Sequence, residues 1–169
     1  MTKRILILVL CLCLGLAAGA SGAESLEGRV QDFVASVYAD YAAQSFAEVF
    51  SLMYPSIGDI VSEEDYVNYQ SQNFEELKLH LSEIEVGEVS ESPRLSGSLR
   101  QLLLDDESHR VYGVAISYKA NFVRGVRFSQ TISKTVYVVV VDSQSEEGIL
   151  YLLWEPSSME EEEMPNDSD

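Results

Sequence analysis

The chain has 169 residues, 46% of them hydrophobic, with 28 acidic and 11 basic side chains and a formal net charge of -17. This length and apolar content suit one domain with an ordinary core, and they exclude a disordered chain or a disulfide-rich scaffold. The strong acidity argues against nucleic acid as a partner, because phosphates require a basic surface, and against electrostatic docking on anionic lipid.

Residues 1–23 have the organisation of a secretory signal peptide. A basic start precedes an apolar run from Ile5 to Leu16, and small residues follow as far as Ala23. A stable membrane span needs about 20 apolar residues, so this shorter run favours a signal that is cleaved after Ala20 or Ala23. We therefore expect a secreted or periplasmic protein with no stable membrane span after cleavage, and with residues 24–156 as its folded domain.

Three amphipathic helices are predicted in the first half of that domain. The first, from Ser25 to Gln44, carries an apolar stripe at helical spacing. Ser45 and Ser62 each begin a capping-box pattern, in which the serine hydroxyl accepts a hydrogen bond from the amide three residues later. The second helix is expected to end before Pro55. The third is expected to run about three turns, with acidic residues in its first turn, where the helix dipole favours them.

After Glu76 the apolar period changes to two, which predicts a strand from Leu77 to Val89 with a bulge or bend near Ser82. The segment from Leu99 to Leu104 has no period that assigns it to an element. Alternation from Arg110 to Phe122 predicts a second strand.

Gly125 predicts a tight turn, and therefore a hairpin to a third strand from Arg127 to Val141. The end of this strand, Val136–Val141, is apolar on both faces, as expected of a central strand that is covered on both sides. Its outer face is a candidate surface for homodimerisation. A last strand, Ile149–Trp154, precedes the acidic residues 157–169, whose composition predicts a disordered tail.

This order of elements predicts an α+β fold, with three N-terminal helices packed on a curved, mainly antiparallel sheet of about four strands. The helical segments Phe46–Met53 and Val61–Val67, followed by strands that end in Leu152-Leu153-Trp154, resemble the nuclear transport factor 2-like superfamily of cone-shaped, cystatin-like α+β domains. The resemblance covers about Ser25 to Pro156. It implies either an enzyme, such as a ketosteroid isomerase or a dehydratase, or a non-catalytic secreted, transport or dimerisation domain.

The residues themselves offer little catalytic chemistry. The sequence contains no nucleophile elbow, phosphate-binding loop or dinucleotide fingerprint, so no catalytic residue and no cofactor is assigned. Residues 24–169 contain only His80 and His109, with no paired His or Cys spacing that would hold a metal. His80 is expected to face solvent from its strand, and His109 to form a surface ion pair beside Asp106 and Glu107.

The interior of the predicted cone is the one candidate site. If the even positions of the third strand face the helices, Gln130 and Lys134 are polar groups in the interior, and Tyr38 and Tyr41 face them from the first helix. Burial of the lysine would lower its pKa. Asp40 is the nearest candidate carboxylate. In the alternative interpretation, a bulge reverses the strand's parity, Lys134 lies in water and the core is dry.

We therefore expect an exported, non-catalytic domain that binds a protein partner or a small apolar ligand. The alternative is a small-molecule enzyme of the isomerase or hydratase type that uses the cone pocket. Such an enzyme needs a base and a hydrogen-bond donor within reach of one substrate atom, whereas a binding domain needs only shape and an apolar lining.

Overall fold

A computed structural model describes residues 25–103, 109–124, 126–142 and 148–156. In chain order its elements are α1 (Leu26–Ala42), α2 (Phe46–Ser51), a 3₁₀ turn (Pro55–Ile57), α3 (Glu63–Leu77), β1 (His80–Glu91), α4 (Gly97–Leu102), β2 (His109–Arg124), β3 (Val126–Val141) and β4 (Ile149–Leu153). The predicted α+β class, with three leading helices and four strands, is confirmed. The predicted signal peptide and acidic tail lie outside the described residues.

Serine caps begin two of the first three helices, and the one at Ser62 was predicted from the sequence. Ser25 Oγ accepts from the Gly28 amide at 3.1 Å, and Ser62 Oγ accepts from the Asp65 amide at 3.1 Å. The capping box predicted at Ser45 is wrong, because this side chain makes no capping hydrogen bond to α2. Its ψ angle is 60°, whereas Ser62 has the extended value of 155° that directs a hydroxyl at the first turn.

The boundary between α3 and β1 lies later than the alternation of leucines predicts. α3 extends through Leu77, and Lys78 then adopts a left-handed conformation with φ of 47°. The Leu79 amide donates to the Phe74 carbonyl at 2.9 Å, which is the long bond of a Schellman motif and satisfies a carbonyl at the helix end. The strand therefore begins at His80 and not at Leu77.

The sheet is an open antiparallel meander in the order β1-β2-β3-β4. β2 and β3 form the predicted hairpin, in unbroken register from Arg124 opposite Val126 to His109 opposite Val141. The register of β1 against β2 shifts between Ser82 and Glu85, which confirms the predicted bulge. A second shift follows between Val86 and Val89.

One face of the sheet packs on the helices, with α1 lying chiefly over β1. The buried core residues that the helices contribute include Val30, Val34, Val37, Tyr38, Phe46, Val49, Tyr66 and Phe74. Alternate residues of β2, namely Tyr112, Val114 and Ile116, meet them from the sheet. In this way the 3.6-residue period of the helices and the two-residue period of the strands build one core.

The central strand β3 is covered on both faces where it is doubly apolar. Val138 and Val139, which point to opposite faces, are both fully buried. On the face away from α1, the ring of Tyr54 lies 6.0 Å from that of Tyr151, which is paired with Val139. This cover comes from the chain itself, so Val139 offers no exposed strip for the predicted homodimer.

The covering segment is also tied to β4. The Tyr54 amide donates to the Leu152 carbonyl at 2.8 Å, and the Leu152 amide donates to the Leu52 carbonyl at 2.7 Å. The segment that the sequence left unassigned forms α4, whose Leu99 and Leu102 are buried. Among the described residues, no helix has both the length and the apolar character to cross a membrane.

Candidate functional site

A cavity of about 310 Å³ lies between α1, α3 and the adjoining part of β3 and β4. Three of the four predicted site residues, Tyr38, Tyr41 and Lys134, line it. Gln130 is exposed and does not line the cavity. Asp40 is half-buried and also lies outside the lining. The structure thus brings together the two tyrosines and the lysine but not the amide or the candidate acid.

Lys134 lies over aromatic rings at the edge of the cavity. Its Nζ is 5.6 Å from the ring centroid of Tyr38 and 5.8 Å from that of Tyr118, at distances where a cation is attracted to an aromatic face. The unbroken register pairs Lys134 with Ile116, a core residue, so no bulge reverses the parity of β3, but Lys134 is nevertheless an exposed residue. Desolvation of its amino group lowers the pKa of Lys134, although the residue as a whole is exposed.

Tyr41 and Gln70 form a polar pair in the opposite wall. Tyr41 Oη donates to Gln70 Oε1 at 2.8 Å, and Gln70 is only 7% exposed. The Tyr41 ring also meets Phe74 edge-on, with centroids 5.3 Å apart. These contacts fix the orientation of the phenol, so this wall presents a pre-organised polar group inside an apolar surface.

Two further aromatic side chains of the lining, Tyr66 and Trp154, were not predicted. Trp154 follows β4, and its ring meets that of Tyr66 edge-on at 5.3 Å. The signals for both were present in the sequence. Tyr66 lies one helical turn before Gln70 on the same face of α3, and Trp154 has the parity of the inward-facing Leu152.

The buried tyrosines are hydrogen-bond donors at neutral pH. Burial raises the pKa of Tyr38, and the neighbouring hydroxyls of Tyr118, Tyr41 and Tyr66 raise it further. Burial likewise raises the pKa of Tyr66 and of Tyr118. Protonated phenols therefore line the polar part of the cavity beside the amino group of Lys134, and both kinds of group donate hydrogen bonds.

A carboxylate that sequence reasoning did not place in the site also lines the cavity. Glu155 follows Trp154, and its Oε1 accepts from the hydroxyl of Ser98 and, at 3.4 Å, from that of Ser96. The sequence indicates only that Glu155-Pro156 ends the last strand. Its approach to the cavity depends on α4, which the sequence does not predict.

The two histidines lie away from this cavity. His80 is exposed, as expected. The His109 ring lies 5.6 Å from that of Tyr54, with its Nδ1 3.4 Å from the tyrosine hydroxyl. Its predicted partners Asp106 and Glu107 lie outside the described residues.

Within the described ranges, no three His, Cys, Asp or Glu side chains are grouped so that they could hold a metal ion. The cavity lining combines apolar side chains with phenols, the amino group of Lys134 and one carboxylate. No protein-family model and no curated protein matches the chain.

Proposed function

We propose that the protein is an exported, non-catalytic domain that binds a small, mainly apolar molecule in the cavity beside Lys134. The observation that carries the proposal is the convergence of Tyr38, Tyr41 and Lys134 on one cavity of about 310 Å³. Small-molecule sites commonly have volumes of about 300 to 1,000 Å³, apolar walls and a few polar groups. The signal-peptide pattern supports export, and the resemblance to nuclear transport factor 2-like domains supports a cone that encloses a ligand.

The position of the charge suggests how such a ligand would be oriented. Among the described residues, the ion pairs are Arg110–Asp142 and Lys119–Glu83, and neither involves Lys134. The apolar part of the lining includes Val37, Val136 and Leu152. A ligand with an anionic or strongly accepting group would place that group near Lys134 and its apolar body against these side chains.

Titration with anilinonaphthalene sulfonate tests this proposal, because the dye combines an apolar body with one anionic group. We expect saturable fluorescence enhancement, and about tenfold weaker binding for Lys134→Met, which corresponds to about 1.4 kcal/mol. Lys119→Met is the matched control, because Lys119 is on the other face of the neighbouring strand β2 and pairs with Glu83 at 2.7 Å. Equal losses in the two variants, or no loss in Lys134→Met, would argue against binding in the cavity.

A small-molecule isomerase or hydratase is the second candidate, and the presence of Glu155 in the lining favours it. Removal of a proton from the carbon next to a carbonyl group needs a base and a hydrogen-bond donor to the carbonyl oxygen. A carboxylate and a phenol on one cavity supply these two groups. The test is exchange of the α-protons of cyclohexenone with deuterated solvent, followed by NMR. Exchange that is faster than in buffer alone, and that is lost in Glu155→Gln, would support the enzyme proposal. Exchange at the rate seen in buffer alone would favour the non-catalytic binding domain.

The sequence also allows a protein as the partner. We place the small ligand first because Tyr38, Tyr41 and Lys134 line one cavity.

A further inference from the structure

The cavity lining carries two side chains of opposite charge. Lys134 reaches the cavity from β3, and Glu155 reaches it from the residues that follow β4. Lys134 forms no ion pair with any residue that the structure describes, so it is not paired with Glu155. A ligand that enters this cavity therefore meets a basic group and an acidic group at separate places.

The two charged groups approach the cavity from different sides of β3. The Nζ atom of Lys134 lies 5.8 Å from the ring centroid of Tyr118, which is on β2. Glu155 follows β4, and its Oε1 accepts from the hydroxyls of Ser98 and Ser96 at the start of α4. β2 and β4 flank β3 in the sheet and are two inter-strand spacings, or about 10 Å, apart. The lining thus has a basic end and an acidic end.

Aromatic side chains accompany the carboxylate at the acidic end. Trp154 precedes Glu155 in the chain, and its ring meets that of Tyr66 edge-on, with the centroids 5.3 Å apart. Both rings line the cavity. Aromatic faces attract cations, tryptophan most strongly, and groups of aromatic rings are typical of sites that recognise methylated ammonium groups. Such an ammonium group also has no N–H donors that lose their hydrogen bonds to water when it is buried.

We propose that the ligand of this cavity is a zwitterion, with a methylated ammonium group beside Trp154 and Glu155 and a carboxylate beside Lys134. This inference rests on the proposed function and specifies the chemical class of the ligand. The ligand carboxylate favours the protonated form of Lys134, because a nearby negative charge stabilises the ammonium group. The apolar chain of the ligand then contacts the aliphatic side chains of the lining.

Two compounds of the same shape test the proposal. The first is the zwitterion N-hexyl-N,N-dimethylglycine. The second is its carbon isostere, in which a quaternary carbon atom replaces the ammonium nitrogen and the carboxylate is kept. The isostere is the more apolar compound, so a cavity that offers only apolar walls and Lys134 would bind it more tightly. Calorimetric titration of the protein with each compound gives the two dissociation constants.

We expect the zwitterion to bind the native protein about tenfold more tightly than the isostere. Glu155→Gln keeps an oxygen that can accept from Ser98 and removes the negative charge. This variant should lose the preference for the zwitterion, and it should bind the isostere slightly more tightly because a charge that repels the carboxylate is gone. Glu85→Gln is the matched control, since Glu85 is exposed on β1 and does not line the cavity. It should keep the native preference.

The outcomes separate this inference from the proposed function. If the isostere binds the native protein at least as tightly as the zwitterion does, the zwitterion proposal is overturned and the site for an apolar acid stands. This comparison needs only the native protein, so it does not depend on the folding of a variant. If neither compound binds, both proposals are overturned. A preference for the zwitterion that persists in Glu155→Gln would also overturn the inference, because the ammonium group would then bind away from Glu155.

Discussion

At the scale of single residues, the cavity depends on polar groups that are held inside an apolar wall. Alternation along β3 predicts which face Lys134 occupies, and the unbroken β2–β3 register keeps that residue opposite the core residue Ile116. Alternation places Gln130 on the same face, but Gln130 does not line the cavity, because alternation gives the face of a side chain and not its surroundings. Gln70, Trp154 and Glu155 come from three distant parts of the chain, and their convergence depends on packing that no local pattern contains.

The buried tyrosines of the cavity should lose their phenol protons at a higher pH than tyrosines in an unfolded chain. The pKa of Tyr38 and of Tyr66 is raised by burial, whereas an unfolded tyrosine loses its proton near pH 10. Their stabilising effect is therefore complete below about pH 10 and is lost progressively as the pH rises above it, because the unfolded chain ionises first. Tyrosinate absorbance should show fewer than all 9 tyrosines ionised until the protein unfolds. Ionisation of every tyrosine near pH 10 while the protein stays folded would contradict the burial of these two rings.

The Tyr41–Gln70 pair gives a second test at this scale. Tyr41→Phe removes the hydroxyl that donates to Gln70 Oε1, and the loss should lower the free energy of unfolding by about 1 to 3 kcal/mol because a buried acceptor is left without it. Adding Gln70→Leu should recover part of this loss, since an apolar pair needs no hydrogen bond. Urea denaturation measures both variants. A loss of unfolding free energy in the double variant that exceeds the summed losses of the two single variants would contradict this explanation.

At the scale of elements, local signals predict where helices begin better than where they end. Ser62 caps its helix through the predicted serine hydroxyl bond, and Ser25 does so as well, but Ser45 does not, because its backbone enters α2 with a different ψ angle. The alternation of Leu77, Leu79 and Leu81 is typical of a strand and predicts an end of α3 that is too early. The Schellman bond of Leu79 to Phe74 shows that the helix end determines the conformation there.

Serine-to-alanine variants distinguish the two predicted capping boxes. Ser62→Ala removes the acceptor for the Asp65 amide and should cost about 1 kcal/mol in the free energy of unfolding. Ser45→Ala is the matched control, and it should cost less because Ser45 makes no side-chain cap bond. Chemical denaturation of the two variants gives the comparison. Equal costs would mean that the local cap geometry described for α2 is wrong.

At the scale of the whole molecule, the order of helices and strands was predictable because each element has a clear period and its hydrophobic face needs a partner. The cavity was predictable only in part, because its volume depends on how α3, α4 and the end of β4 meet. Its lining nevertheless includes Trp154, which is the only tryptophan in the chain. The fluorescence of this residue therefore reports directly on the contents of the cavity.

Titration of the protein with octanoate, followed by Trp154 emission, tests the central claim most directly. An apolar chain with one carboxylate should enter the cavity with its charge near Lys134, and the emission should change saturably with one site per chain. Octanol, which has the same chain length and no charge, should bind more weakly to the native protein, and this difference should disappear in Lys134→Met. Emission that does not respond to either compound, or responds identically to both in the native protein, would contradict a ligand site at this cavity.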